Sequence, residues 1–151
     1  SEHYVAYSKG DAWFVGISDM LQHLKAQGVQ LAVATGKSRK GLDRVLAQTQ
    51  SQDLFVATRA ASETKSKPDP LMLTEILQHT GVQASEAIMV GDTSYDLSMA
   101  QQIGMPSIGV AYGVHAVEVL QRYQPIYIAQ NVNDLSQFLQ TLTQQAVAAS
   151  C

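Results

Sequence analysis

The chain has 151 residues, 46% of them hydrophobic and 15% charged, which is the composition of one folded domain rather than of a disordered chain. Its formal net charge of −3 and the lack of any basic run make a nucleic-acid partner unexpected. No apolar segment approaches the roughly 20 residues of a membrane helix, so no membrane interaction is expected. The single cysteine, Cys151, suits a cytoplasmic location.

Helical and strand-like patterns alternate along the sequence. Residues 16–27 place apolar side chains on one helical face, and Gly28 marks the end of that helix. The run VQLAVAT (29–35) then predicts a strand that is buried on both faces. Further strands are predicted at 53–58, 87–91, 106–113 and 125–130. Further helices are predicted at 38–49, 70–81, 115–123 and 131–147, and one more runs through Leu97, Ala100 and Ile103. Pro70 and Gly81 mark the two ends of the helix at 70–81.

This alternation, with its short connections, predicts an α/β fold: a Rossmann-like parallel sheet with helices on both faces. Ligands of such sheets bind at the carboxyl ends of the strands. We therefore expect the functional residues directly after VQLAVAT (29–35) and AIMVG (87–91).

The first of these strands ends in Thr35-Gly36-Lys37-Ser38. A hydroxyl at the strand tip, a glycine and the start of a helix offer an O–H group and backbone N–H groups to a phosphate. Taken alone, a helix cap by Thr35 or Ser38 is the simpler interpretation. A nucleotide-binding P-loop is excluded, because position 31, where that motif needs its first glycine, is leucine.

A second candidate group lies in TKSKPDP (64–70), where two prolines stiffen the chain after Lys67. A lysine held there could direct one positive charge at a phosphate. An ordinary solvated loop lysine is the alternative, and Lys65 is the competing candidate.

Two aspartates follow AIMVG, four residues apart. At ~4 Å and an effective dielectric constant of ~20, Asp92 and Asp96 would repel each other by about 4 kcal/mol. A divalent cation removes that penalty, and partly hydrated oxygen ligands suit Mg²⁺. The alternative is that Asp92 or Thr93 caps the next helix while Asp96 faces water.

The segments VQLAVATGKSRKGLDRVL (29–46), KSKPDP (65–70) and IMVGDTSYDLSMA (88–100) together resemble three motifs of the haloacid-dehalogenase-like hydrolase superfamily, in its phosphoglycolate-phosphatase-like branch. The resemblance implies a phosphate site formed by Thr35, Gly36, Lys37 and Lys67. It also implies that a magnesium ion is bound by Asp92 and Asp96. Because family members that cleave carbon–halogen bonds lack GDTxxD, the implied activity is a Mg²⁺-dependent phosphatase acting on a small phosphorylated metabolite.

The sequence departs from this family in its first motif, DxDGT, which supplies the nucleophilic aspartate and an acid/base aspartate. Asp11 and Asp19 do not follow a predicted strand and have no partner two residues on. We therefore expect these 151 residues alone to bind phosphate and metal weakly and to turn over essentially nothing. A catalytically inactive phosphate- and metal-binding or regulatory module is the alternative function. A receiver domain is disfavoured because its acidic pair would precede the lysine.

The resemblance also implies a domain organisation, with residues 1–14 as a remnant of a cap or linker, 15–147 as the core and 148–151 as a tail. In the family the strand of the first motif lies in the middle of the sheet. We therefore expect a fragment of a longer phosphatase, with a sheet that lacks its first central strand. That gap would be filled by a separate N-terminal piece or by a second chain.

Overall fold

The computed structural model of the chain describes residues 4–8, 17–112 and 115–150, and the side chains of 17–112 and 115–142. Within these ranges strands and helices alternate as the sequence predicts. The strands are β1 (Tyr4–Ser8), β2 (Gln30–Thr35), β3 (Ala57–Ala60), β4 (Ala87–Gly91), β5 (Ser107–Val110) and β6 (Tyr127–Ala129), and the helices are α1 (Ile17–Ala26), α2 (Arg39–Gln48), α3 (Leu71–Thr80), α4 (Ser94–Gln102), α5 (Val117–Gln121) and α6 (Val132–Ser150).

The six described strands form one parallel sheet in the order β3-β2-β1-β4-β5-β6. Side chains of alternate strand residues enter two apolar layers. On one face, Leu31 and Ile88 pack with helices α1 and α6, and on the other, Ala32 and Met89 pack with helices α3 and α4. The predicted α/β fold with helices on both faces is confirmed.

One part of the fold prediction is wrong: the middle of the sheet is filled by this chain. Strand β1 lies between β2 and β4, with Tyr4 beside both Gln30 and Ala87. These five residues belong to the segment assigned above to a cap or linker remnant. Its short pattern YVAYS mixes apolar and hydroxyl residues, and so lacks the continuous apolar run by which a central parallel strand is recognised. The strand supplies the backbone partners that its two neighbours need.

The strand predicted at 53–58 is displaced along the chain. Residues Gln52–Leu54 form a 3₁₀ turn, and the strand runs from Ala57 to Ala60. The reason is packing: Leu54 and Phe55 are partly buried against the apolar layer of α1 and α6 before the chain joins the sheet.

Helix α6 is fixed to the sheet at its first turns. The Tyr127 hydroxyl donates to Asp134 Oδ1 at 2.6 Å, which raises the pKa of Tyr127 and lowers that of Asp134, and the Tyr127 ring stacks on Phe138 at a centroid distance of 4.1 Å. The helix continues to Ser150, so residues 148–150 of the predicted tail are helical, and Cys151 lies outside the described residues. None of the helices in the described ranges has both the length and the apolar content needed to cross a bilayer.

Hydrogen exchange tests the position of β1. Amides of Val5, Ala6 and Tyr7 are expected to exchange as slowly as those of residues 88–90 in β4, because a strand paired on both sides opens only when the sheet opens. Mass spectrometry of peptic fragments measures this, with the loop at 64–66 as a rapidly exchanging control. Exchange at 5–7 as fast as in that loop would contradict a central β1.

Candidate active site

The carboxyl ends of β2, β1 and β4 lie side by side, and the chain leaves each of them on the same edge of the sheet. Thr35 is the last residue of β2, Ser8 is the last residue of β1, and Gly91 closes β4 directly before Asp92. The register places Ser8 beside Gly91. The topology thus brings the phosphate-binding candidates and the acidic pair to one edge, as the sequence predicts for parallel strands.

At the end of β2 two hydroxyl groups take two different roles. Thr35 is buried, and its Oγ1 accepts the backbone N–H of Lys37 at 3.1 Å. Ser38 is the helix cap, because its Oγ accepts the N–H of Gly41 at 3.1 Å. The Thr35 oxygen therefore acts as the hydrogen-bond acceptor that closes the turn, and the hydroxyl hydrogen can still be donated to a ligand. Gly36 is exposed and Lys37 half-buried at the same turn.

Of the two competing lysines, the structure brings Lys67 to Asp96 of the acidic pair. Its ammonium group forms an ion pair with Asp96 Oδ1, and its side chain is only 12% exposed, whereas Lys65 is exposed. The loop carrying Lys67 is attached to helix α4, because Gln102 Nε2 donates to the carbonyl of Pro68 at 2.8 Å. The alternative of a solvated loop lysine is wrong for Lys67.

Both carboxylate oxygens of Asp96 have bonding partners. The Thr93 hydroxyl donates to its Oδ2 at 2.8 Å, and the Thr93 backbone N–H lies 3.3 Å from the same atom. In return the Asp96 N–H donates to Thr93 Oγ1 at 3.2 Å, which completes a capping box at the start of α4. Gly91 leaves the space that Asp96 occupies, since a Cβ at position 91 would lie 2.4 Å from Asp96 Cβ. Asp96 is 1% exposed, so the alternative that it faces water is wrong.

Asp92, 4% exposed, accompanies Asp96 below the surface. With the Lys67 ammonium, these three groups carry a net formal charge of −1, which favours a bound cation. No cluster of three or more histidine, cysteine or acidic side chains that could bind a metal occurs in the described part of the chain. Two carboxylates suffice for Mg²⁺, which usually keeps several waters and takes one or two protein carboxylates. The donor set therefore fits magnesium.

A family model for haloacid dehalogenase-like hydrolases matches residues 6–110. The chain belongs to the haloacid dehalogenase-like hydrolases.

Individual relatives agree with this membership. The chain is 34% identical over 125 residues to "Probable phosphatase IndB" of Dickeya dadantii (strain 3937), covering 81% of this chain and 54% of that protein. It is 29% identical over 130 residues to the phosphoglycolate phosphatase of Escherichia coli (strain K12), with coverages of 84% and 51%. The crystal structure of a "predicted phosphatase from Clostridium acetobutylicum" has a TM-score of 0.78 at 28% identity, with coverages of 85% and 60%.

The predicted family and its phosphoglycolate-phosphatase-like branch are thus confirmed. The chain spans about half the length of the curated relatives that it matches. Strand β1, which the sequence did not predict, ends at Ser8, three residues before Asp11. Asp11 itself lies outside the described residues. Asp19 lies in the first turn of helix α1.

Arg39 has a role that the sequence did not reveal. Its guanidinium donates to Thr58, Asp43 and Glu63, which ties α2 to β3 and to the turn that follows β3. The backbone joins the same region, because the Ala61 N–H donates to the carbonyl of Lys37 at 3.1 Å. This network holds the turn after β2 against the segment that leads to Lys67.

His115 is the second residue whose role was missed. Its backbone N–H donates to the Asp92 carbonyl at 3.1 Å, and its Nδ1 accepts from the Ser94 N–H at 2.9 Å. These contacts join residues from separate loops, so no local sequence pattern signals them.

Replacing Gly91 tests how tightly Asp96 is packed in this family member. Gly91→Ala is expected to lower the free energy of unfolding by about 1–3 kcal/mol, because the new methyl group overlaps Asp96. Urea denaturation measures the change. Gly36→Ala is the matched control and should lose nothing, since a Cβ there meets no atom within 4 Å. Equal stability of the Gly91→Ala and Gly36→Ala proteins would contradict the packing described.

Glu63 makes part of the stability dependent on pH. Its hydrogen bond from Arg39, with a second from the Ala60 N–H, lowers the pKa of Glu63 below its ordinary value of 4.5. A carboxyl group whose pKa is lowered by folding stabilises the fold fully at pH values above its pKa in the unfolded chain. That contribution is lost as the pH falls through its pKa in the folded chain.

The wild-type chain is therefore expected to lose more unfolding free energy than Glu63→Gln when the pH falls from about 6 to about 3. Urea denaturation of both proteins at each pH measures the difference. Parallel curves for the two proteins over this range would contradict the assignment.

Proposed function

We propose that this chain is the phosphate- and metal-binding part of a Mg²⁺-dependent phosphatase that acts on a small phosphorylated metabolite. The contact between Lys67 and Asp96 carries the proposal, because it joins the lysine motif to the acidic motif at the edge where ligands of such sheets bind. The phosphatase names of the relatives support the reaction class.

In this proposal the phosphate is bound by the Thr35 hydroxyl, by the turn at Gly36 and Lys37, and by the Lys67 ammonium group. Hydroxyl, backbone N–H and ammonium donors suit the several acceptor oxygens of a phosphate. Lys67 is already oriented by its ion pair with Asp96, so little side-chain freedom remains to be lost on binding.

The magnesium ion would be held by Asp92 and Asp96. The two oxygens of Asp96 accept three contacts from Lys67 and Thr93, which leaves room for one further bond at Oδ1. Asp92 is therefore assigned as the principal ligand, and Asp96 as a ligand that also orients Lys67. When bound, the ion would neutralise charge on the phosphate oxygens.

The family mechanism requires a nucleophilic aspartate at the end of the first strand. A carboxylate oxygen would attack phosphorus, the bond to the alcohol oxygen would break with protonation of that oxygen, and water would then release phosphate and restore the carboxylate. We propose that this aspartate, with its acid/base partner, comes from sequence outside these 151 residues, on a strand that would take the central place of β1 in the longer protein. Asp11, three residues beyond β1, is the candidate within the chain.

A second function is favoured by one observation. Strand β1 ends in Ser8 beside Gly91, at the strand end from which the family nucleophile projects. A chain that kept this arrangement without an aspartate would bind a phosphate ester and Mg²⁺ without cleaving the ester. This catalytically inactive binding or regulatory module is the alternative.

The cytoplasmic location stays a prediction.

A phosphatase assay with p-nitrophenyl phosphate and Mg²⁺ tests the proposal. The 151-residue chain is expected to be inactive, whereas a version extended upstream in its own reading frame is expected to be active. In that version Asp92→Asn and Lys67→Met should each lower kcat/KM about a hundredfold or more, as loss of a group that stabilises transition-state charge does. Lys65→Met is the matched control and should retain activity.

The possible outcomes separate the two functions. Activity of the short chain that disappears in Asp11→Asn would place the nucleophile at Asp11. Inactivity of both lengths, with phosphate still bound in the presence of Mg²⁺, would favour the binding module. Full activity of Asp92→Asn would contradict the proposed metal site.

A further inference from the structure

His115 makes two hydrogen bonds to the short segment Asp92–Ser94. One uses the backbone N–H of His115, which reaches the carbonyl of Asp92, and the other uses the imidazole Nδ1, which accepts the N–H of Ser94. The two bonds fall on either side of Thr93. A single residue from the segment after β5 therefore braces the backbone that carries the proposed magnesium ligand.

The N–H group of Ser94 is one that a helix cannot satisfy by itself. Ser94 is the first residue of helix α4, and the first N–H groups of a helix have no intrahelical acceptor. The neighbouring groups are satisfied within the turn, since Asp96 accepts from Thr93 and Thr93 accepts from Asp96. The acceptor for Ser94 comes from His115, in a different loop.

The bond also defines which tautomer of the neutral ring fits this geometry. Because Nδ1 accepts a hydrogen bond, it carries no hydrogen, and the neutral imidazole has its proton at Nε2. The ring of Tyr95 lies edge-on to the imidazole, with centroids 5.6 Å apart and an interplanar angle of 65°. The orientation of the His115 side chain is thus defined by a hydrogen bond on one edge and an aromatic contact.

We propose that His115 is a positioning residue: its imidazole fixes the backbone of Asp92–Ser94 and thereby the direction in which the Asp92 carboxylate meets a magnesium ion. The capping box of Thr93 and Asp96 already closes the start of α4. The contact from His115 is therefore not needed to begin the helix. It acts on the junction between β4 and α4, where a small rotation of the backbone would move the Asp92 carboxylate.

This inference rests on the proposed function, because it assigns His115 to the binding of the proposed ion. Residues that orient metal ligands typically change metal affinity by ten- to a hundredfold when they are lost. For His115→Ala we expect the lower end of that range, about a tenfold rise in the Kd for Mg²⁺. The backbone bond from residue 115 to Asp92 is retained in that variant.

The first test is spectroscopic and uses the wild-type chain. Nitrogen-15 NMR of the labelled histidines, at a pH well above the ordinary histidine range of about 6.5, reports which ring nitrogen carries the proton. His115 is expected to be the Nε2–H tautomer, with Nδ1 unprotonated. An Nδ1–H tautomer would overturn the proposal without reference to any activity.

The second test is calorimetric titration of Mg²⁺ in the presence of inorganic phosphate. His115→Ala should bind about tenfold more weakly than wild type. His115→Asn should stay close to wild type, since its Oδ1 is an acceptor separated from Cα by the same number of bonds as Nδ1. His79→Ala, at an exposed position in the last turn of α3, is the matched control and should bind like wild type.

Each result decides the matter. Equal affinities of His115→Ala and His79→Ala, or equally weak binding by His115→Asn and His115→Ala, would overturn the role of His115. If His115→Ala fails to fold, as a thermal melt would show, the wild-type tautomer and the affinity of His115→Asn decide. The Asp92→Asn variant separates failure of the metal site from failure of the His115 role. If Asp92→Asn binds Mg²⁺ as wild type does, the proposed metal site is wrong. If Asp92→Asn binds more weakly but His115→Ala does not, only the role of His115 is wrong.

Discussion

The buried ion pair between Lys67 and Asp96 organises the candidate site. Its partners are 29 residues apart in sequence, and it joins the loop before α3 to the first turn of α4. A buried ion pair gains little net stability, because desolvation opposes the attraction, so its value lies in placing groups. Gly91 leaves room for Asp96, Thr93 holds its second oxygen, and Gln102 secures the loop of Lys67.

Much of this arrangement could be predicted from the sequence because parallel strands share an edge. Once the apolar runs before Thr35 and Asp92 are recognised as strands, the residues that follow them must lie close together. What remained open was which lysine reaches the acidic pair. Lys65 and Lys67 lie two residues apart in one loop, and the packing of that loop on α4 decides between them.

Other features could not be predicted because they depend on distant contacts. Strand β1 is short and mixed in composition, and it is defined by the two strands that pair with it rather than by its own pattern. Arg39 and His115 bond to residues from other loops, and a single sequence gives no signal for such pairs. The closed sheet also changes the biological question: what separates an enzyme from a binding module is whether the strand at the centre of the sheet ends in an aspartate.

A crystal structure of the chain with Mg²⁺ and inorganic phosphate would show whether Lys67, Asp92 and the turn after Thr35 form one binding site. We expect phosphate against Lys67 and the turn after Thr35, a magnesium ion within bonding distance of Asp92, and an intact ion pair between Lys67 and Asp96. Lys67 extended into solvent, with the two aspartates apart and neither near the ion, would contradict this expectation.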